Sequence, residues 1–212
     1  MSEAWRGTLR SGLAELGLMF SADEDKKLEC FVELLEKWNG AYNLTAVRDP
    51  EEMVTKHLLD SLVLLPFLRD RPGPVLDVGT GAGLPGIPLA VSLPALCFTM
   101  LDSNGKKTRF VTHAAATLGL HNVEVAQTRV EDYRPAQPFA TVISRAFSSL
   151  QDFARMAGPA CMSGGRLLAM KGVYPKQELD EIPAGFRLLA VHPLKVPGLD
   201  AERCVVEIEK AG

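Results

Sequence analysis

From residue 74 onward, short apolar runs alternate with segments in which apolar residues recur at helical spacing. The runs predict strands at 74–79, 96–101, 122–126, 139–144, 165–170, 186–191 and 203–209. Helices are predicted between the early strands, at roughly 86–93, 104–118 and 150–158. Strands that alternate with helices build a parallel, doubly wound sheet, so an α/β fold is predicted. Only residues 193–202 separate the last two strands, which predicts an antiparallel hairpin at the sheet edge.

Residues 1–71 show helical spacing only. Ser21 with Glu24 forms a capping box, and the helix behind it carries an apolar stripe of Leu28, Phe31, Val32, Leu35, Trp38 and Tyr42. That helix is expected to end at Asn39-Gly40 and Asn43, which weaken it. A further helix is expected from Asp49, directing Val54, Leu58, Leu62 and Leu65 inward. A polar, proline-rich stretch at 69–74 then predicts a boundary between an N-terminal helical cap (1–71) and a second domain (72–212).

Composition and charge narrow the class of protein. The chain has 212 residues, 47% of them apolar, and a net charge of −3, so no global basic field indicates nucleic acid. Residues 1–70 hold 8 Lys and Arg against 13 Asp and Glu, whereas residues 71–212 hold 15 against 13. The four cysteines are scattered, which predicts reduced thiols in a cytoplasmic protein and no zinc site. No apolar run reaches membrane length, and the N-terminus is too polar for a signal peptide.

A glycine loop joins the first predicted strand to its helix. The segment Gly81-x-Gly83-x-x-Gly86 matches the dinucleotide fingerprint, with an acidic residue about twenty positions on at Asp102. However, the strand ends in Asp77, and Asp-x-Gly-x-Gly-x-Gly is the form seen in enzymes that use S-adenosylmethionine (SAM). An acidic neighbour suits the amino group and sulfonium of SAM. The loop therefore favours SAM over NAD, and a glycine turn without a ligand is the third reading.

The residues that follow the second, third and fourth strands each have two interpretations. Asp102 either hydrogen-bonds a ribose or only caps the next helix. Val130 and Glu131, after the third strand, either line an adenine pocket or lie in a solvated loop. Arg145 ends a buried strand and therefore needs an anionic partner, either a ligand carboxylate or an internal acid.

Other polar residues lie outside the glycine loop. His57, Asp60 and Ser61 fall within about one helical turn, which suggests a cluster that closes over the site or a packed histidine. A catalytic triad is disfavoured because no strained nucleophile turn is present. Lys171 leaves the fifth strand and either meets a substrate phosphate or is solvated.

Motifs in order across residues 38–203 carry a family resemblance. They are Trp38-Asn39, Tyr42-Asn43-Leu44-Thr45, His57-Leu58-Leu59-Asp60-Ser61, Asp77–Gly86 with its Leu84-Pro85-Gly86, Leu101-Asp102-Ser103, Lys106-Lys107 with Phe110, Arg129-Val130-Glu131, Ser144-Arg145-Ala146-Phe147, Met170-Lys171-Gly172 and Glu202-Arg203. The chain thus resembles the bacterial 16S ribosomal RNA guanine-N7 methyltransferases, also called glucose-inhibited division protein B. Cys204 stands where members often carry histidine.

The resemblance implies a Rossmann-like class I SAM-dependent methyltransferase with a helical cap, a seven-stranded mostly parallel sheet and an antiparallel last strand. It implies methyl transfer to N7 of a guanine in 16S rRNA. The acidic N-terminal half suggests that the substrate is the 30S subunit or its precursor, and the protein is expected to be a monomer that binds neither DNA nor membrane. SAM contacts are expected at Gly79, Leu84, Val130, Glu131 and Arg145, to which the glycine loop adds Gly81 and the residue pattern adds Asp102. Candidates for positioning the RNA are Asn43, His57, Ser61, Arg145, Lys171 and Arg203. No metal, covalent nucleophile or general base is expected, because guanine N7 has a free lone pair.

Three alternatives remain at this point. The chain could be an NAD(P)-dependent oxidoreductase, a non-catalytic module that senses SAM, or a methyltransferase for a small molecule or protein.

Overall fold

The structure, a computed structural model, describes residues 4–71 and 73–212 and is built around one seven-stranded sheet. The strands are β1 (Val75–Val78), β2 (Phe98–Asp102), β3 (Val123–Gln127), β4 (Phe139–Ser144), β5 (Cys161–Lys171), β6 (Phe186–Leu194) and β7 (Arg203–Lys210). Their order across the sheet is β3-β2-β1-β4-β5-β7-β6. Strands β1 to β5 pair in parallel, and β7 is antiparallel to both β5 and β6. The predicted doubly wound sheet and its antiparallel edge hairpin are confirmed.

Helices cover both faces of the sheet. They are α1 (Ala4–Glu15), α2 (Ala22–Tyr42), α3 (Pro50–Met53), α4 (Asp60–Leu62), α5 (Leu65–Leu68), α6 (Gly86–Ser92), α7 (Gly105–Thr117), α8 (Leu150–Ala157) and α9 (Lys176–Leu179), with 3₁₀ turns at Val130–Asp132 and Gly158–Ala160. One face of the sheet packs against α6, α7 and the N-terminal helices, and the other packs against α8. Successive strand residues supply the two cores alternately, as the two-residue repeat of a strand requires. Val75 lies in the first core, and Leu76 lies in the second.

The N-terminal helices share the core of the sheet rather than forming one of their own. Trp5, Phe31 and Leu58 are buried in the same apolar cluster as Phe110 and Val205. The apolar stripe of α2 was predicted correctly from Leu28 to Leu35. Because this common core joins the two segments, it does not mark a boundary between them. The division of the chain into a cap and a second domain therefore stays a prediction.

The expected end of α2 within Asn39–Asn43 is confirmed, whereas the expected burial of Tyr42 was wrong. The helix continues through Gly40 and ends at Asn43, which adopts the left-handed conformation (φ 51°) that asparagine tolerates. Tyr42 is 44% exposed instead of lying in the core, because its ring stacks on the outer side of Trp38 at 5.2 Å between centroids.

A π-helical segment at Val54–Leu59 separates α3 from α4. The pattern of apolar residues predicted an ordinary helix here, and the predicted inward positions Val54, Leu58, Leu62 and Leu65 are all buried. The wider π-turn was not predicted, because it leaves that apolar spacing intact. Such turns are frequent at functional sites, and this one contains His57.

Among the residues that the structure describes, no helix combines the length and the apolar character needed to cross a bilayer.

Candidate active site

The glycine loop turns tightly between β1 and α6. Gly79, Gly81 and Gly83 all have positive φ (69°, 59° and 79°), which favours glycine at each position. A Cβ on Gly79 would also stand 2.6 Å from the Cβ of Ala146. Bare backbone is therefore required where the loop approaches the end of β4, and the same geometry lets a ligand approach the main chain closely.

Asp77 lies beneath this loop and not beside a ligand. Its side chain is fully buried, and Oδ2 accepts hydrogen bonds from Thr80 Oγ1 (2.7 Å) and the Gly86 amide (2.9 Å). Oδ1 has no hydrogen-bond partner among residues 4–71 and 73–212. Burial raises the pKa of Asp77 to about 6, although the bonds from Thr80 and Gly86 oppose this. The carboxyl thus fastens the loop to the start of α6, and it lines neither of the cavities described below.

Asp102 supports the loop from the end of β2. Its Oδ2 accepts from the Gly81 amide at 2.9 Å, and its Oδ1 accepts from the Asn104 amide at 2.8 Å. The cap of α7 is Asn104, whose side chain accepts from the first-turn amides, so the alternative that Asp102 only caps this helix is wrong. Each carboxylate oxygen keeps a second lone pair, and Asp102 lines a cavity where a hydroxyl could use it.

Two cavities open at the carboxyl ends of the parallel strands. The smaller, of about 300 Å³, is lined by Val78, Gly79, Leu101, Asp102, Ser103, Lys107, Thr128, Arg129, Val130, Glu131, Ala146, Phe147 and Met156. The larger, of about 690 Å³, is lined by Leu44, Thr45, Lys56, His57, Asp60, Gly79, Thr80, Gly81, Ala82, Leu84, Lys107, Arg145, Ala146, Met170, Lys171, Gly172, Leu199, Ala201 and Arg203. They share Gly79, Lys107 and Ala146. The structure therefore brings all seven predicted cofactor residues to one pair of adjoining cavities.

Asp60 lies between two arginines at the floor of the larger cavity. Its Oδ2 accepts from Arg145 Nη1 and its Oδ1 accepts from Arg203 Nε, both at 2.9 Å. The Asp60 side chain is 5% exposed, while those of Arg145 and Arg203 are 24% and 25% exposed. The partner of Arg145 is thus an internal acid, and both arginines line the larger cavity.

His57 is held as a neutral imidazole in the cavity wall. Its Nδ1 lies 2.9 Å from the Lys56 carbonyl and its Nε2 lies 2.8 Å from Thr45 Oγ1. The carbonyl can only accept, so Nδ1 carries the proton and Nε2 accepts from the threonine. Burial lowers the pKa of His57 to about 4, and the nearby charge of Arg145 adds to this.

The segment that carries Thr45 is fixed by a buried asparagine. Asn39 is 3% exposed; its side chain donates to the Val47 carbonyl (2.8 Å) and accepts from the Thr45 amide (2.9 Å). Sequence reasoning included both residues only within the family motifs. The signal that could have singled out Asn39 is its place on the apolar stripe of α2 in the last turn before a loop, where backbone groups need partners.

Lys171 is neither solvated nor open to a phosphate. Its Nζ donates to Glu178 (2.8 Å), to the Ser148 carbonyl (2.8 Å) and to the Phe147 carbonyl (3.4 Å). These acceptors match the three protons of an ammonium group. Glu178 also accepts from the Leu150 amide at 2.7 Å. The pair thereby anchors the segment after Arg145, which forms part of the smaller cavity.

The structure does not bring two of the RNA-positioning candidates to a cavity. Ser61 is fully buried and donates to the His57 carbonyl one turn earlier (2.5 Å), which also removes any nucleophile from the suggested triad. Asn43 is exposed but lies outside the lining, where its side chain accepts from Arg48 at 3.2 Å. His57, Arg145, Lys171 and Arg203 do line the larger cavity.

The larger cavity is basic although the chain as a whole is acidic. Its lining includes five cationic side chains and a single carboxylate, Asp60; the cations are Lys56, Lys107, Arg145, Lys171 and Arg203. Lys56 and Lys107 were missed as site residues, because Lys56 lies on a predicted cap helix and Lys107 was noted only within a family motif. Within residues 4–71 and 73–212, no group of three or more His, Cys, Asp or Glu side chains is arranged to hold a metal ion.

Comparison with known sequences identifies the family. Residues 24–206 match the profile of the family described as rRNA small subunit methyltransferase G, or GidB. The chain belongs to this family. Ribosomal RNA small subunit methyltransferase G of Ectopseudomonas mendocina is 51% identical over 203 residues, covering 96% of this chain and 95% of the relative. The proteins of the same name from Marinobacter nauticus (49%; 98% and 96% covered) and Aromatoleum aromaticum (50%; 96% and 98% covered) are similarly close. The predicted family is thus confirmed, and the oxidoreductase and sensor alternatives are wrong.

Solved structures agree on the fold of this member of the methyltransferase G family. The glycopeptide N-methyltransferase MtfA with S-adenosylhomocysteine gives a TM-score of 0.61 at 13% identity, covering 72% of this chain and 89% of that one. A SAM-dependent methyltransferase from Aquifex aeolicus gives 0.56 at 20% identity, covering 76% and 94%. TrmN from Thermus thermophilus gives 0.57 at 21% identity, covering 71% and 48%. At these identities the likeness establishes the class I SAM-dependent methyltransferase fold.

Proposed function

We propose that this chain transfers a methyl group from SAM to N7 of one guanine in 16S rRNA, acting as a cytoplasmic monomer on the 30S subunit or its precursor. The observation that carries the proposal is a pair of adjoining cavities beside a glycine loop in a chain of the rRNA small subunit methyltransferase G family. One cavity suits a nucleoside, and the other is large, basic and open to a second reactant.

The residues present fit SAM. Gly79 stands where a Cβ would meet Ala146, so bare backbone faces the junction of the two cavities. In the smaller cavity, Asp102 offers carboxylate lone pairs to ribose hydroxyls, while Val130 and Glu131 line the part that would take the adenine. In the larger cavity, Arg145 presents free N–H groups to the methionine carboxylate, next to Leu84. Bound there, SAM would supply a methyl group already activated by its sulfonium.

Positioning supplies most of the catalysis in this proposal. Guanine N7 has a lone pair available without deprotonation, so the site needs no general base. Alignment of two reactants can lower a barrier by about 7–11 kcal/mol in favourable cases. The neutral His57 adds no positive charge beside a sulfonium or a cationic N7-methylguanine product. A protonated imidazole at the same place would repel both.

The charge distribution supports a shaped RNA particle as substrate. Basic side chains are concentrated at the larger cavity, whereas residues 1–70 are acidic. Such a surface makes few phosphate contacts, so recognition depends on the shape of the assembled particle. A guanine inside folded RNA must be turned outward to reach the cavity, as enzymes that modify bases require.

The test is transfer of labelled methyl from SAM to 30S subunits from a strain lacking this protein, with naked 16S RNA alongside, followed by mapping of the modified base. We expect label at N7 of a single guanine, strong on particles and weak on naked RNA. Label on another atom, or equal label on both substrates, would contradict the proposed atom or the proposed substrate form. Absence of label despite measurable SAM binding would refute the function.

A further inference from the structure

Lys107 is the one cation of the larger cavity that has no protein acceptor within the described residues. Lys56 pairs with Glu52, Lys171 pairs with Glu178, and Arg145 and Arg203 share Asp60. The Lys107 Nζ makes no hydrogen bond and no ion pair in the part of the chain that the structure describes. Its backbone amide donates to the side chain of Asn104, the cap residue of α7.

The position of this ammonium is specific. Lys107 lines both cavities, together with Gly79 and Ala146, so it lies where they join. Its Nζ is 3.9 Å from the point at which a Cβ on Gly81 would stand, which places it against the bare backbone of the glycine loop. The residue is half-buried. An ammonium that is partly withdrawn from water, with no anion beside it, is poised to accept one from a bound reactant.

Resting on the function proposed above, we infer that Lys107 binds a phosphate oxygen of the RNA next to the target guanine. SAM brings a single carboxylate, and Arg145 and Arg203, which also line the larger cavity, can take it. The other anionic oxygens that enter this site belong to RNA phosphates. An ammonium at the junction can hold a phosphate next to the cofactor, and so fix how far the guanine enters. Lys107 is thus a positioning residue for the RNA.

The chain offers a matched control in the preceding residue. Lys106 carries the same charge on the same helical turn, but it is exposed and lines neither cavity. Lys107→Ala and Lys106→Ala therefore change the net charge equally, and they differ only in whether the lost ammonium faces the junction. Lys107→Arg keeps the charge.

The experiment measures three quantities for wild type and the three variants. They are the Kd for SAM by calorimetry, the Kd for unmethylated 30S subunits at several salt concentrations, and the KM for 30S subunits in methyl transfer. For Lys107→Ala we expect 30S binding to weaken about tenfold and the salt slope to fall by about one. The Kd for SAM should stay within about twofold of the wild-type value, because the inference assigns Lys107 to the RNA phosphate and not to the cofactor. Lys106→Ala should change 30S binding much less, and Lys107→Arg should retain most of it.

Two outcomes would overturn the inference. Equal weakening by Lys106→Ala and Lys107→Ala would reduce the effect to general surface charge. A loss of SAM affinity with unchanged 30S binding would assign Lys107 to the cofactor carboxylate. Both outcomes are distinct from failure of the proposed function, in which the wild-type protein itself would leave 30S subunits unmethylated.

Discussion

Replacement of Asp60 by alanine tests whether the ion pairs at the cavity floor join the N-terminal helices to the sheet. Asp60 accepts two hydrogen bonds from arginines that come from β7 and from the end of β4. Hydrogen bonds to charged groups contribute about 1.5–3 kcal/mol each, so the pair amounts to roughly 3–6 kcal/mol. Water recovers part of this loss, since about a quarter of each arginine side chain is exposed. We therefore expect Asp60→Ala to lower the free energy of unfolding by about 2–4 kcal/mol.

Urea unfolding measures this loss with two probes. Trp5 and Trp38 both lie in the N-terminal helices, so their fluorescence reports on that segment, while far-ultraviolet circular dichroism reports on the whole chain. For a chain of this size the melting temperature should fall by roughly 4–16 °C. Because the N-terminal helices share the core of the sheet, we expect the two probes to give coincident transitions.

Lys195→Ala is the matched control, since Lys195 also joins the sheet region to the N-terminal helices through an ion pair with Glu15. That pair is exposed (88% and 48% of the two side chains), so its loss should cost less than about 1 kcal/mol. In the double variant Asp60→Ala/Arg203→Ala, the total loss should be smaller than the sum of the single losses, because Arg203 is no longer left without its partner. Equal losses for Asp60→Ala and Lys195→Ala would refute the reasoning.

Three further predictions concern the glycine loop and its surroundings. Between pH 4 and 6, protonation of unfolded His57 lowers stability as pH falls (folded pKa about 4), whereas ionisation of unfolded Asp77 lowers it as pH rises (folded pKa about 6). These effects oppose each other, and Asp77→Asn removes the one that stabilises the protein on acidification. The variant should therefore lose about 2 kcal/mol relative to wild type between pH 6 and pH 4. Parallel curves of the urea midpoint across this range would contradict the prediction. Glu178 lies outside both cavities, but Glu178→Ala removes the acceptor of Lys171 and of the Leu150 amide and so loosens the loop after Arg145. Calorimetry should show the Kd for SAM raised about fivefold, which corresponds to the free energy of about one hydrogen bond. An unchanged Kd would mean that other contacts hold the loop. Gly86→Ala would place a Cβ against Met100 Sδ and 2.7 Å from Asp77 Oδ2, so thermal unfolding should show a loss of about 1–3 kcal/mol in the free energy of unfolding. As a control, Gly7→Ala adds a Cβ in open space within a helix and should raise that free energy by about 0.5–1 kcal/mol. Equal effects would show that the loop relaxes freely around the added methyl group.

Local patterns were sufficient for the sheet and the glycine loop. Apolar runs, turn residues and the spacing of glycines are all read within a few positions, and they predicted the seven strands and the residues that meet at their carboxyl ends. The family motifs supplied five of the seven predicted cofactor residues, and the glycine loop and the residue pattern supplied Gly81 and Asp102.

The arrangement inside the site depends on contacts between distant parts of the chain. Asp60 is 85 residues from Arg145 and 143 from Arg203, and no local pattern shows that both arginines bind the same carboxylate. Lys171 was expected to face solvent or a phosphate. Its protein acceptors could not be predicted, because they come from two other segments of the chain. The π-turn that carries His57 was likewise hidden, since the buried positions keep ordinary helical spacing.

Because β7 runs antiparallel to β5, it begins beside the cavities and ends on the other side of the sheet, away from them. Cys204, at its start, is paired with Lys171 at the cavity edge, whereas Glu209 is paired with Arg166, five residues earlier on β5. Lys210 then donates to the carbonyl of Cys161, the first residue of β5, at the end of the strands away from the cavities. A purification tag, a dye or a surface tether attached after Lys210 therefore leaves the protein away from the cavity mouth. Single-molecule or surface-capture tests of the proposed 30S binding can use that attachment and keep the cavity mouth accessible.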